Sequence, residues 1–162
     1  MDKVYRKALY AGSFDPFTYG HLSILDEAVK IFDEVTIGIA VNPDKTNRFT
    51  YINETKRAIE NLVANRFHDY KVFVEIIPGF VADYCKSNNI NYLIRGLRGT
   101  SDYLYEERLA KINSELNPNL STIYFRAKDN VVSSSLVREL HKHNHDVSKY
   151  VPPEIINLLG RF

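Results

Sequence analysis

The sequence predicts an α/β domain built as a doubly wound, five-stranded parallel sheet with helices on both faces. Three observations predict it. Short apolar runs of strand length alternate with segments whose apolar residues recur at helical spacing. The runs are nearly continuous in Val, Ile and Leu, as strands covered on both faces require. The chain has 162 residues, 44% hydrophobic and 25% charged, the composition of one ordinary domain spanning 1–162.

Taken in order, Lys7 to Ala11 is an apolar run ending at Gly12, after which Leu22, Leu25, Val29 and Phe32 mark a helix. Val35 to Val41 is a second strand, closed by Asn42-Pro43. Thr50 is placed to cap a helix whose Ile52, Ile59, Leu62 and Val63 face inward. Val72 to Ile77 is a third strand ended by Pro78-Gly79, and Val81, Tyr84 and Cys85 lie on a short helix. Tyr92-Leu93-Ile94 is a fourth strand running into a loop, Arg95 to Gly99, before a long helix from about Ser101 to Pro118. Thr122 to Phe125 is the fifth strand. Leu136, Val137 and Leu140 begin a helix behind Ser133-Ser134-Ser135, and a last helix starts at Pro152-Pro153, where first-turn amides have no helical partner to lose.

Composition narrows the function. Lysine plus arginine number 21 against 20 acidic residues, so the net field offers no nucleic-acid polymer a reason to bind. No run of eighteen apolar residues suggests a membrane span, and no long apolar stretch opens the chain. A single cysteine, Cys85, agrees with a cytoplasmic setting. Neither a P-loop nor a dinucleotide fingerprint is present. On a helix His141 and His145 would share a face, but no nearby carboxylate completes a metal site, and no protein-held metal is expected.

Ligands of such sheets sit beyond the carboxyl ends of the strands, so the strand-end loops carry the candidates. The first runs Gly12-Ser13-Phe14-Asp15-Pro16-Phe17-Thr18-Tyr19-Gly20-His21. Its glycines permit close backbone approach, Ser13 and Thr18 supply hydroxyls, and His21 falls in the first helical turn, where free amides and the helix dipole attract phosphate. The dipole is expected to lower the His21 pKa. A turn at Asp15-Pro16 with a helix-starting histidine is the purely structural alternative. Lys45, on a proline-stiffened turn, could aim its ammonium at the same crevice or be solvated beside Asp44. Arg95 and Arg98 place two permanent charges at a strand end, for an anion, for capping a helix or for pairing with Asp102 or Glu106. One of Ser133, Ser134 and Ser135 caps a helix and the others present hydroxyls. Glu106 could accept from a sugar, orient an arginine or be a solvated helical acid.

Together, the first loop, Arg95-Gly96-Leu97-Arg98 and Val132-Ser133-Ser134-Ser135-Leu136-Val137-Arg138-Glu139 closely resemble phosphopantetheine adenylyltransferase, over almost the whole chain and down to Asp146 through Pro153. The resemblance implies a Rossmann-like nucleotidyltransferase that moves the adenylyl group of ATP to 4'-phosphopantetheine, giving dephospho-coenzyme A and pyrophosphate. It implies two catalytic residues, His21 on the α-phosphate in the transition state and Lys45 on the attacking phosphate and the reacting centre, with Ser13 contacting both substrates. Arg95 and Val81 would hold phosphopantetheine. Phe14, Gly96, Leu97, Arg98, Glu106 and the segment Asp129, Asn130, Val131, Val132, Ser133, Ser134, Ser135 would hold ATP. Asp129 departs from the pattern, standing where the family often has an aromatic. The resemblance also implies Mg2+ as the ATP counterion, a homohexamer and inhibition by coenzyme A. Cytidylyl transfer, adenylylation of a mononucleotide, and a nucleotide-binding protein without turnover are the alternatives.

Overall fold

The structure, a computed structural model, describes residues 1–41, 51–128 and 132–160. Lys45, Thr50 and Asp129 to Val131, all singled out above, lie outside the described residues. Strand and helix alternate as β1 (Lys7–Gly12), α1 (Tyr19–Ile31), β2 (Glu34–Ala40), α2 (Ile52–Arg66), β3 (Val72–Ile77), α3 (Val81–Ser87), β4 (Tyr92–Leu97), α4 (Thr100–Leu116) and β5 (Ser121–Arg126), followed by α5 (Ser134–Lys142) and α6 (Pro153–Leu159). The five strands pair in parallel in the order β3-β2-β1-β4-β5.

Alternation along β1 assigns the two faces. Ala8 and Tyr10 join the cluster of α1, α2, α5 and α6, with Leu25, Ile59, Val137 and Ile155. Leu9 and Ala11 point the other way, to Ala82 and Cys85 of α3 and to Ile77 and Leu93. Both faces are therefore covered, which explains why strand residues such as Leu9, Ile37 and Ile94 are wholly buried. Among the described residues no helix is long and apolar enough to cross a membrane.

The strand order reverses between β1 and β4, and the ladder there is short. β1 pairs with β4 only as far as Tyr10 and Ile94, whereas β1 follows β2 to Gly12 and β4 follows β5 to Leu97. Beyond Ile94 the two central strands separate, opening the crevice expected at a switch point. Arg95 to Leu97, expected as a loop, are thus strand residues. Their ladder to Tyr124, Phe125 and Arg126 keeps them extended although the apolar run has ended. Gly96 also lets α1 close onto β4, because a Cβ there would stand 2.3 Å from Ile24 Cδ1.

Tyr51 precedes α2 and makes no side-chain cap bond. One further expectation needs correction. α5 ends at Lys142, with Asn144 at a positive φ of 61°, so His145 lies past the helix and shares no helical face with His141. Among the described residues no three His, Cys, Asp or Glu side chains gather as a metal site.

Candidate functional site

Two cavities open at the carboxyl end of the sheet. The first, about 380 Å³, is walled by the first loop, Arg95, Gly96, Arg98, Val132 and Ser133 to Ser135. The second, about 490 Å³, is bounded by Ala40, Val41, Phe80, Val81, Leu109 and Asn113. They share Ala11, Gly12, Ser13, Arg95 and Glu106 as a common wall. The carboxyl ends of all five strands therefore converge.

The first loop is shaped by its own aromatics. Phe14 takes a positive φ of 46°, uncommon outside glycine, which turns its ring under the loop. That ring is 1% exposed and packs edge-on against Tyr10 and His21, so the Phe14 side chain is core beneath the first cavity. Phe17 lies 5.3 Å from the imidazole between ring centroids. Thr18 caps α1, its hydroxyl accepting from the His21 amide at 3.3 Å, while the Thr18 amide donates to His21 Nδ1 at 2.9 Å. A glutamate or glutamine normally completes this reciprocal cap. Here an imidazole does so.

That bond fixes the tautomer. With Nδ1 accepting, the neutral ring carries its proton on Nε2. Burial among aromatics pushes the His21 pKa down to about 3, and the positive charges of Arg98 and Arg95 push the same way. The direction matches the sequence expectation. Its leading cause is desolvation rather than the helix dipole invoked there. The phenol of Tyr10, on the cavity floor, is raised by burial, against the pull of the same two arginines.

Arg95 fills the gap between the separated strands. Its Nη1 donates to the Ala11 carbonyl of β1 at 2.6 Å, and Nε and Nη2 donate to the two Glu106 oxygens at 2.7 and 2.8 Å. Burial opposes this charge, yet the Glu106 carboxylate leaves the Arg95 pKa raised. Glu106 is itself buried, so the solvated-acid alternative does not hold. Arg98 is more open. Asp102, in the first turn of α4, accepts from both its amide and Nε.

α5 clamps the loop from the other side. Ser133 is its N-cap, accepting from the Leu136 amide at 3.2 Å, and Ser134 donates to the Pro16 carbonyl at 2.8 Å. Arg138 donates to the Asp15 carbonyl and lies 3.5 Å from the Asp15 carboxylate. It lines the first cavity, and the sequence reading did not assign it a place there. The available signal was its position four residues after Ser134, on the same face of the helix. Val81, the first residue of α3, lies in the second cavity, as does Ser13 in the shared wall. Leu97 is not brought in: it lines a separate hollow with Arg98, Tyr103 and Arg126.

A profile of the cytidylyltransferase-like family matches residues 9–140, most of the chain and nearly all of this site. The chain belongs to that family. The fold agrees with solved nucleotidyltransferases. A Plasmodium falciparum nicotinic acid mononucleotide adenylyltransferase in complex with APC aligns at a TM-score of 0.62 and 18% identity, over 98% of this chain and 96% of that one. The same enzyme in complex with NaAD aligns at 0.62 and 19%, with the same coverage. A Vibrio parahaemolyticus protein provisionally assigned as a nicotinate-nucleotide adenylyltransferase aligns at 0.65 and 15%, over 98% and 93%. The crevice between β1 and β4 lies within the matched residues.

Proposed function

We propose that this protein is a nucleotidyltransferase that moves the adenylyl group of ATP to 4'-phosphopantetheine, releasing dephospho-coenzyme A and pyrophosphate. The observation that carries the reading is the shared wall: Arg95, held by Glu106, stands with Ser13 between two cavities, so two phosphate-bearing ligands can meet head to head. An oxygen of the acceptor phosphate attacks the α-phosphorus in line, the bond to the β-phosphate oxygen breaks, and pyrophosphate leaves with the electron pair. The nucleophile is already anionic, so no general base is required. What the protein must do is align two repelling anions and stabilise charge on the equatorial oxygens.

The residues divide accordingly. His21, neutral with its proton on Nε2, donates to the α-phosphoryl oxygen without adding a charge that must be desolvated. Arg95 takes the acceptor phosphate, and Ser13 contacts both substrates. Arg98, Gly96 and Ser133 to Ser135 hold the triphosphate and nucleotide, and Lys45 belongs to the reacting centre by resemblance. Among the described residues the carboxylates of Asp15, Asp102 and Glu106 are all matched with arginines, which suits none of them to a metal. Magnesium would therefore enter as part of Mg-ATP. The apolar wall of Ala40, Val41, Val81 and Leu109 suits the methyl and methylene groups of a pantetheine arm. Coenzyme A as inhibitor, a homohexamer and a cytoplasmic setting belong to the same proposal. Exposed Leu104, Ile112 and Leu116 on α4 supply apolar surface for an assembly.

Adenylylation of a mononucleotide is the second reading. It is favoured by the names of the solved neighbours and by Phe80, whose exposed ring at the second cavity could stack on a base. Pyrophosphate release from Mg-ATP or Mg-CTP, with 4'-phosphopantetheine or nicotinic acid mononucleotide as acceptor, tests both. Release with Mg-ATP and phosphopantetheine alone is expected. Release only with the mononucleotide, or only with CTP, replaces the proposal, and ATP binding with no release makes the protein a binder.

A further inference from the structure

We propose that Glu106 is a positioning residue: its carboxylate holds the Arg95 guanidinium in the wall between the two cavities and thereby sets affinity for the acceptor's phosphate. The inference rests on the adenylyl-transfer reading and deepens it. It assigns Glu106 an effect on the acceptor, whereas the resemblance placed it with the nucleotide.

A guanidinium has five N–H groups. Three are committed here, two to Glu106 and one to Ala11, which leaves one on each terminal nitrogen. These two N–H groups of a charged guanidinium are donors of the kind a phosphate accepts in short, charge-assisted hydrogen bonds. The orientation of that pair is set by the fork to Glu106, since the Ala11 carbonyl alone would let the plane rotate. Glu106 has little freedom of its own: its side chain is 9% exposed and projects from α4, whose first turn is tied back to Arg98 through Asp102. Neither of its oxygens needs a ligand, since each already accepts a short charge-assisted hydrogen bond.

The test is steady-state kinetics with Mg-ATP and 4'-phosphopantetheine, alongside calorimetric binding of phosphopantetheine. Glu106→Gln keeps the volume and removes the charge. The acceptor's KM and Kd should rise roughly 10–100-fold, the range that a hydrogen bond to a charged group represents, while the KM for ATP stays within about twofold. In an Arg95→Lys background the same change should add less than about threefold, because residues acting through one another are not additive. A raised KM for ATP with an unmoved acceptor KM, or losses that multiply in the double variant, overturns the proposal. A fall in thermal midpoint with both KM values unchanged does so too. Should Glu106→Gln not fold, Glu106→Asp retains the charge with a shorter reach, and its two KM values decide in the same way. Wild-type protein that releases no pyrophosphate with phosphopantetheine ends the functional reading. Normal wild-type turnover with an unmoved acceptor KM in the variants ends this inference alone.

Discussion

Replacing His21 by glutamine removes a titrating ring while keeping a side chain that can accept from the Thr18 amide, because glutamine is an ordinary partner at this capping position. The folded protein holds the imidazole neutral down to about pH 3, against an ordinary value of 6.5. Below pH 6.5 the unfolded chain therefore binds a proton that the folded chain refuses. Stability from this group is fully present above pH 6.5 and drains away as the pH falls toward 3. Between pH 7 and pH 5 the loss amounts to about 2 kcal/mol, an upper value because the ring lines a cavity open to water. Denaturant unfolding of both proteins at pH 7 and pH 5 reads it, since every other titrating group is common to the two. Wild type should lose about 2 kcal/mol more than His21→Gln. Equal losses would show that the ring is not held neutral, and the Nε2–H donor would go with it.

Removal of the donor itself, in His21→Ala, should raise the turnover barrier by about 3 kcal/mol with little change in ATP affinity, read as kcat against the ATP dissociation constant. Near-normal turnover would take His21 out of the mechanism. Arg95→Ala should weaken phosphopantetheine binding at least about tenfold in calorimetry, and an unchanged dissociation constant would remove the arginine from the acceptor site. Gly96→Val would drive a branched side chain into Ile24 and should cost about 2 kcal/mol in denaturant unfolding. Part of that loss should return in the double variant with Ile24→Ala, and a neutral Gly96→Val would mean that α1 does not close on β4 as described.

Much of the site was legible because its donors sit at strand ends, and strand ends are readable. The run Lys7 to Ala11 and the glycine after it locate the first loop, the triple serine locates the start of α5, and the alternation of strand and helix brings these ends to one edge. Arg95 and Glu106 show where reading stopped. Spacing left that arginine free to bind an anion, cap a helix or pair with either of two acids, and Glu106 looked equally at home in solvent. A side chain's choice among partners depends on which are desolvated together, and burial is a property of the assembled chain. Arg138 escaped for a related reason. An arginine one turn along a helix is usually a surface residue, and only the loop packed over it turns this one toward Asp15.

The sequence by itself determined the alternation of strands and helices, the single covered sheet, and the set of loops that could carry phosphate chemistry. Those follow from hydrophobic period and turn residues, which act over a few positions along the chain. Tertiary structure alone decided the strand order, the point at which β1 and β4 part, and the fork that sets Arg95 between two cavities. Each of these joins residues far apart in sequence, as Arg95 and Ala11 are by 84 positions. The physical reason is that hydrogen-bond partners and desolvation are settled only when the elements pack, so local spacing names the candidates and packing chooses among them.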